Sequence, residues 1–418
     1  MTKWIESQLA NVTSLVSRGV PPSYTEDEEG ILVINQRCIR ANTVLYENCR
    51  RTDASIRKIA THKYLQDFDI LVNSTGVGTL GRLAQLKRPI ESQITVDSHV
   101  TIVRPDVEIV SPSYLGLAMI ASQSQIESMA EGATGQTELS RTRLGELIIS
   151  LPPLPIQHKI ASILSAYDDL IENNTRRIKI LEEMAQTIYR EWFVHFRFPG
   201  HENVPMVDSE LGQIPQGWEV KKVENAFEIT GGGTPSTKIE EYWDGGDINW
   251  YVPSDLTGQT PMFTDKSETQ ITAEGLKNSS AKLFPANSVM MTSRATIGVV
   301  SINSLEACTN QGFIICIPNQ KLPTEYIFYW LRSNVWLFIQ QASGTTFLEI
   351  NRSTFKRINL ILPHAGILES FTQAVGAVML EVHALSQKNQ NLRKTRDLLL
   401  PRLISGRLDV EELEIEGL

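Results

Sequence analysis

A heptad pattern over residues 156–193 constrains this chain more than any other feature. With Leu164 taken as an a position, the a row runs Leu164, Ile171, Ile178, Ala185, Trp192. The d row runs Ile160, Tyr167, Asn174, Leu181, Ile188. Every one of these except Asn174 is apolar or aromatic, so the stripe is a narrow seam and not the broad face of an ordinary surface helix. No proline or glycine interrupts it. At ~1.5 Å per residue such a helix is roughly 55 Å long, the dimension of a spacer.

A second seam of the same kind covers 367–403. Its d row is Phe371, Val378, Leu385, Leu392, Leu399, and its a row is Val375, Val382, Asn389, Arg396, Leu403. A lone asparagine in an apolar seam lowers stability and sets register, so Asn389→Leu is expected to strengthen the pairing while loosening its register. The two seams share phase and occupy the same place in each half of the chain. They are therefore expected to pair with each other as an antiparallel coiled coil.

At 418 residues the chain is long enough for two or more domains. Its net charge of −9 argues only weakly against a nucleic-acid partner, because the charge is unevenly spread. Acid gathers in 26–29 and 409–416. Base gathers at Arg50, Arg51, Arg57 and Lys58, at Arg82, Lys87 and Arg88, and at Arg352, Lys356 and Arg357. The four cysteines, Cys38, Cys49, Cys308 and Cys316, form no CxxC pair and fit reduced thiols in the cytoplasm. No apolar run reaches ~18 residues and the opening residues lack a charged-then-apolar pattern, so no membrane span is expected.

The two halves repeat. Placing Trp4 on Trp218 puts Leu9 on Val223, Gly19 on Gly233 and Pro21 on Pro235. Further on, "GTLG" from Gly78 falls on "ATIG" from Ala295, and "TVDSHVTIVRP" on "CTNQGFIICIP". "LSRTRLGELIISLP" falls on "INRSTFKRINLILP", each ending in a proline ahead of a long helix. Ordered matches with small drifts in offset signify duplication with loop insertions. The expected fold is α+β: two globular domains in tandem, 1–152 and 199–363 (the latter with its linker), each followed by a spacer helix, 153–198 and 364–404, and then an acidic tail, 405–418. Strands are expected at 31–34, 70–73, 100–103, 288–292 and 312–317, with single helices near 114–129 and 326–341. The proline- and glycine-containing stretch 199–215 reads as a linker.

Catalytic motifs fail on spacing. Gly231, Gly232 and Gly233 match neither GxGxxG nor GxxxxGK[ST] and read as a tight turn. Pro21-Pro22-Ser23-Tyr24 lacks the polar residue that an amino-methyltransferase loop needs before its prolines. Asp208 with Glu219-Val220-Lys221 superficially fits a nuclease carboxylate pattern, but its first-half counterpart, Ile5-Glu6-Ser7, does not. The histidines have no metal-ligand spacing. The chain therefore reads as a recognition scaffold and not an enzyme, with no cofactor or metal of its own. Polar donors do recur at matched loops: Gln36, Arg37, Asn73, Ser74, Thr75, Arg82, Thr134, Gln136 and Arg141 in the first half, and Ser254, Asp255, Thr292, Ser293, Arg294, Thr345, Thr346 and Arg352 in the second. These side-chain types read base edges in the major groove, although each is also an ordinary solvated loop residue.

At this point the chain resembles the specificity subunits of type I restriction–modification enzymes. The likeness is carried by "LGQIPQGWEVKKVENAFEITGGGTPS" from Leu211, "SRATIG" from Ser293, "INRSTFKRINLILP" from Ile350, the stretch from Leu151 through Phe193, and "LLLPRLISGRL" from Leu398. The first half departs by keeping only Trp4 of the domain opening and Gly19 of the glycine turn. The resemblance implies that each globular domain reads one half of an asymmetric bipartite target in double-stranded DNA. It implies that the helices set the gap and dock two modification subunits, and that restriction subunits complete the enzyme. S-adenosylmethionine, ATP and Mg2+ would belong to those partners. A different class, a coiled-coil protein adaptor without DNA specificity, is the alternative.

Overall fold

The computed structural model describes residues 4–87, 89–91, 93–132, 137–258, 261–344 and 346–413. It divides into two compact units, Met1–Ile171 with Asn391–Leu418, and Glu172–Gln390. Both divisions fall inside long helices, because Ile160, Leu164 and Leu403 lie in the core of the first unit. The near portions of both helices are thus integral to a globular core.

In the first unit an antiparallel sheet has the order Thr13–Arg18, Val100–Pro105, Ile70–Asn73, Leu83–Gln85. Its two central strands, Ile70–Asn73 and Val100–Pro105, are mostly apolar because both faces are covered. Ile70, Val72 and Val103 face one core, and Leu71, Val100 and Ile102 face another. A second sheet holds Ile94–Val96, Ile31–Ile34, Arg50–Thr52 and Tyr24–Thr25, the first two parallel. The opening strand Ile5–Gln8 pairs with Ile148–Leu151 just before the long helix. The tail is not free: Val410 is buried and Lys159 Nζ donates to the Glu411 carbonyl at 2.7 Å.

The second unit repeats this plan. Glu228–Thr230, Phe313–Ile317, Val289–Thr292 and Val300–Asn303 follow in the same order, with Phe263–Thr264 added at the edge. Ile248–Tyr251 lies parallel to Ala307–Thr309, and Glu219–Lys222 pairs with Asn359–Leu362. The alternation also repeats, with Val289 and Met291 toward one core and Met290 toward another.

Each expected single helix is two. Pro112–Ala121 and Gln123–Ser128 break at Ser122, and Thr324–Ser333 and Val335–Gln340 break at Asn334. Both breaks use one device: Ser122 Oγ donates to the Ala118 carbonyl at 2.9 Å and Asn334 Nδ2 to Trp330 at 2.8 Å, bonds that compete with the backbone ladder. The stretch after Pro199 is also more ordered than a linker, since Met206–Ser209 and Gly212–Pro215 form a hairpin. Phe198 stacks on Trp218 with ring centroids 5.2 Å apart.

The long helices run Leu154–Tyr189 and Ala365–Ile404. The first closes with a widened turn over Arg190–Val194, in which His195 N bonds the Arg190 carbonyl at 2.9 Å. In the second unit, Asn174 Nδ2 donates to Asn389 Oδ1 at 2.9 Å, and Arg177 meets Glu381 at 2.6 Å. The partner number falls as the residue number rises, so these segments run in opposite directions. In the first unit Arg396 bonds Asp168 at 2.6 Å, which accounts for a cation in the a row. Tyr167, Ile178, Leu181, Ile188, Val378, Leu392 and Leu399 are half-buried, and Ile171, Phe371, Val375, Val382 and Leu385 are buried. By average hydropathy and length, Ala365–Ile404 would suffice to cross a membrane, but Phe371, Val375, Val382 and Leu385 are spent inside the second unit.

Candidate nucleic-acid interface

In each unit one end of the antiparallel sheet collects the loops that carry the polar donors. The first-unit hairpin leaves at Asn73, whose N–H bonds the Arg82 carbonyl while its own carbonyl accepts from Gly81, both at 2.8 Å. In the second unit Thr292 makes the same two bonds, to Val299 and Gly298, at 2.9 Å. The second loop is two residues shorter, which is the source of one drift in the repeat offset. Gly78 and Ala295 both sit in the left-handed region, at φ 71° and 61°. Ser74 N–H donates to the His99 carbonyl and the Ser74 carbonyl accepts from Leu139 N; Ser293 N–H donates to the Gly312 carbonyl and the Ser293 carbonyl accepts from Ile350 N. Thr75 bridges to Glu138 as Arg294 bridges to Glu349.

The glycine turn differs from the sequence alignment by one residue. A Cβ on Gly19 would lie 2.0 Å from the Val96 carbonyl oxygen, and one on Gly232 would lie 1.8 Å from that of Thr309. Gly19 therefore corresponds to Gly232, not Gly233, because the residue after each makes the equivalent bond, Val20 N to Val96 and Gly233 N to Thr309. Only a residue without a Cβ permits this approach. Gly232→Ala is expected to lower stability by about 3 kcal/mol or more, read as a fall in melting temperature.

The fold draws the predicted positions together. Asn73 Nδ2 donates to the Gln36 carbonyl at 3.0 Å, which joins the 36–37 turn to the hairpin. Arg37 is exposed. The short helix Pro253–Thr257, with exposed Ser254, packs against Gly312 beside Ser293. Arg141 is exposed at the start of Arg141–Gly145. Arg352 stands at the matching start of Arg352–Lys356, where a Cβ on Gly231 would lie 3.1 Å from its side chain. Thr346 is exposed, and Thr75 and Arg82 are half-buried. Thr134, Gln136, Thr345 and Arg88 lie outside the described residues.

Four candidates face the wrong way to meet a ligand. Asn73, Ser74, Thr292 and Ser293 are at most 2% exposed. Asn73 is held by Gln36 and Thr79, Ser74 Oγ lies 2.5 Å from Thr101 Oγ1, and Thr292 Oγ1 accepts from Val299 N. They shape the loop and do not present a side chain. Asp255 is likewise engaged, its Oδ2 accepting from Val252 N at 2.8 Å, and burial pushes its carboxyl above the ordinary range.

The charge in the first unit is local. Arg50 lies 3.8 Å over the Tyr24 ring, whose hydroxyl is pushed up by burial and by Asp97. Lys63 donates to the Gly19 carbonyl, and burial, aided by Arg141, lowers its pKa. In the second unit Thr234 Oγ1 donates to Gln311 Oε1 at 2.8 Å beside the glycine turn. Sequence reasoning passed over Tyr24, Lys63, His99, Thr234, Gln311 and the pair Glu138 and Glu349. The two glutamates were findable, since each stands one residue ahead of a matched stretch.

The family model for the type I restriction modification DNA specificity domain matches twice, over residues 4–183 and 215–390. The HindI specificity subunit of Haemophilus influenzae is 24% identical, covering 98% of this chain and all of that one. The EcoR124I/EcoR124II specificity subunit of Escherichia coli is 37% identical over 46% of this chain and 43% of its own. In fold, the crystal structure of the type I restriction–modification S subunit from M. genitalium agrees over 96% of both chains with a TM-score of 0.60 at 14% identity. The double match covers most of the chain, and the two stretches it covers carry the same hydrogen-bonded loop framework. The chain thus belongs to the type I restriction–modification DNA specificity family, with two specificity domains in tandem.

Proposed function

We propose that each domain reads one half of an asymmetric, bipartite sequence in double-stranded DNA, while the two long helices form an antiparallel coiled coil with pseudo-twofold symmetry that sets the gap. One observation carries this reading. A shared main-chain framework in both units holds different side chains at the same sheet end, Arg37 and Thr75 in one against Ser254 and Arg294 in the other, around the matched pair Arg141 and Arg352. A constant scaffold with unlike donors is what unlike half-sites require. The division into 1–152, 153–198, 199–363, 364–404 and 405–418 is kept as the functional one, with helices as spacers. Two modification subunits dock on the helix pair, and restriction subunits join them. S-adenosylmethionine, ATP and Mg2+ are theirs, and adenine methylation by base flipping is their chemistry. The thiols, all free, suit the cytoplasm.

The test is selection from a random duplex library by the full chain with the subunits that co-purify with it. A split motif with a fixed gap is expected. A contiguous motif overturns the two-domain reading, and no enrichment by a folded complex favours the coiled-coil adaptor. Arg352→Ala is expected to weaken binding of the selected target about tenfold or more and to reduce the salt slope by about one.

A further inference from the structure

Glu138 and Glu349 are structurally equivalent. Each stands at the same bridge, opposite Thr75 and Arg294 respectively, and each pairs a second time with its own loop, exchanging main-chain bonds with Glu131 and Ser343. Each carboxylate also holds an arginine, and the two arginines come from different elements. In the first unit it is Arg18, from the end of Thr13–Arg18, at 2.8 Å, a side chain that also donates to the Leu139 carbonyl at 2.9 Å and the Ser98 carbonyl at 3.4 Å. In the second it is Arg294, from the hairpin loop, at 2.9 Å through Nη2 and 3.1 Å through Nε. A shared acid with unlike bases is hard to assign to the framework alone, most of all in the second unit, where the side-chain bonds of Arg294 go to Glu349 and the framework bonds are main-chain ones.

We propose that Glu138 and Glu349 are specificity-determining residues: each restrains an arginine at the DNA-facing sheet end, so that duplexes of the wrong sequence gain no phosphate contact from it. The inference rests on the DNA-recognition reading of these loops. Phosphate contacts supply sequence-independent affinity, and an arginine left free at a DNA surface would offer one to any duplex. A carboxylate beside it cancels that attraction and repels the backbone. The restraint is reversible, since Arg294 is half exposed and Glu349 one-third exposed, and exposed ion pairs are weak. On the right sequence the arginine moves to its base or phosphate, and the freed carboxylate can accept from a cytosine amino group. On the wrong one, the pair stays closed and the arginine makes no contact with the duplex.

Glu349→Gln in the full chain with its co-purifying subunits is the direct test, with a random duplex and the selected target as probes. Affinity for the random duplex is expected to rise roughly three- to tenfold at ~0.1 M salt, with a salt slope steeper by about one. Affinity for the target changes less, so the specificity ratio falls. Glu138→Gln is expected to act in the same direction but more weakly, since the Leu139 and Ser98 carbonyls still hold Arg18. Arg294→Gln/Glu349→Gln is expected to lose most of the random-duplex gain of Glu349→Gln alone, an outcome a purely structural role of Glu349 would not produce. Unchanged random-duplex affinity and slope in a variant that melts like the wild type would overturn the proposal. Absence of any selected sequence with the wild-type complex is a different failure, that of the recognition reading itself.

Discussion

Arg104→Ala is expected to destabilise the first domain by about 3–5 kcal/mol. Arg104 reaches Asp69 through Nε at 2.8 Å and Nη2 at 2.7 Å, and also donates to the carbonyls of His62 and Tyr64. The Asp69 side chain is fully buried and that of Arg104 is 13% exposed. Truncation would leave a carboxylate in a dry site and release the 62–66 segment. The cost is that of the abandoned charge and not the net value of the pair, so Asp69→Leu/Arg104→Met is expected to recover most of the loss. The pH dependence has a definite sign. Burial already holds the Asp69 carboxyl above its ordinary range, against the pull of Arg104. Without the arginine it rises further. A folded pKa above the unfolded one weakens folding fully above the folded value, and the penalty vanishes below about pH 4. The deficit of the variant should therefore shrink as pH falls from 7 toward 4, as read by denaturant midpoints. In the second domain the equivalent positions are Ser288 and Ile317, so its transition should stay in place. A uniform shift of both transitions, or a deficit that grows on acidification, would count against this account.

Asn389→Leu is the second large expectation, and the structure reverses its sign. Considered by itself, the substitution exchanges a polar seam residue for an apolar one and should stabilise. In the fold Asn389 is 3% exposed and Asn174 is 4% exposed. They bond each other at 2.9 Å, and Asn389 Nδ2 also reaches Thr175 Oγ1 at 3.2 Å. A single leucine strands the Asn174 amide, at a cost of about 1–3 kcal/mol. Asn174→Leu/Asn389→Leu removes both partners and is expected to melt higher than the wild type. Its register should loosen, measurable as cross-linking between positions 177 and 381 that spreads to neighbouring pairs. A higher melting temperature for the single variant would falsify the direct pairing.

Local periodicity carried the long helices, since a 3.5-residue repeat depends only on each segment's own residues and appears without knowledge of what it packs against. The duplication was equally legible, because Trp4 with Trp218 and the "GTLG" and "ATIG" loops keep their spacing along the chain. The family followed from the same motifs. The breaks at Ser122 and Asn334 were hidden, since apolar spacing runs through them and only a side-chain bond to a carbonyl stops the helix. The site was legible as a set of loops and not as a set of side chains. Asn73, Ser74, Thr292 and Ser293 share their chemistry with Arg37, Arg141 and Thr346, yet they turn inward because the hairpin closes on them. Polarity states that a side chain needs a partner; it does not state whether that partner is water, DNA or a backbone atom brought in from elsewhere in the chain. Asn174 and Asn389, Arg18 and Glu138, and Asp69 and Arg104 were each given their partners by tertiary structure alone, because contacts spanning 35 to 215 residues of sequence exist only once the sheet and helices have closed.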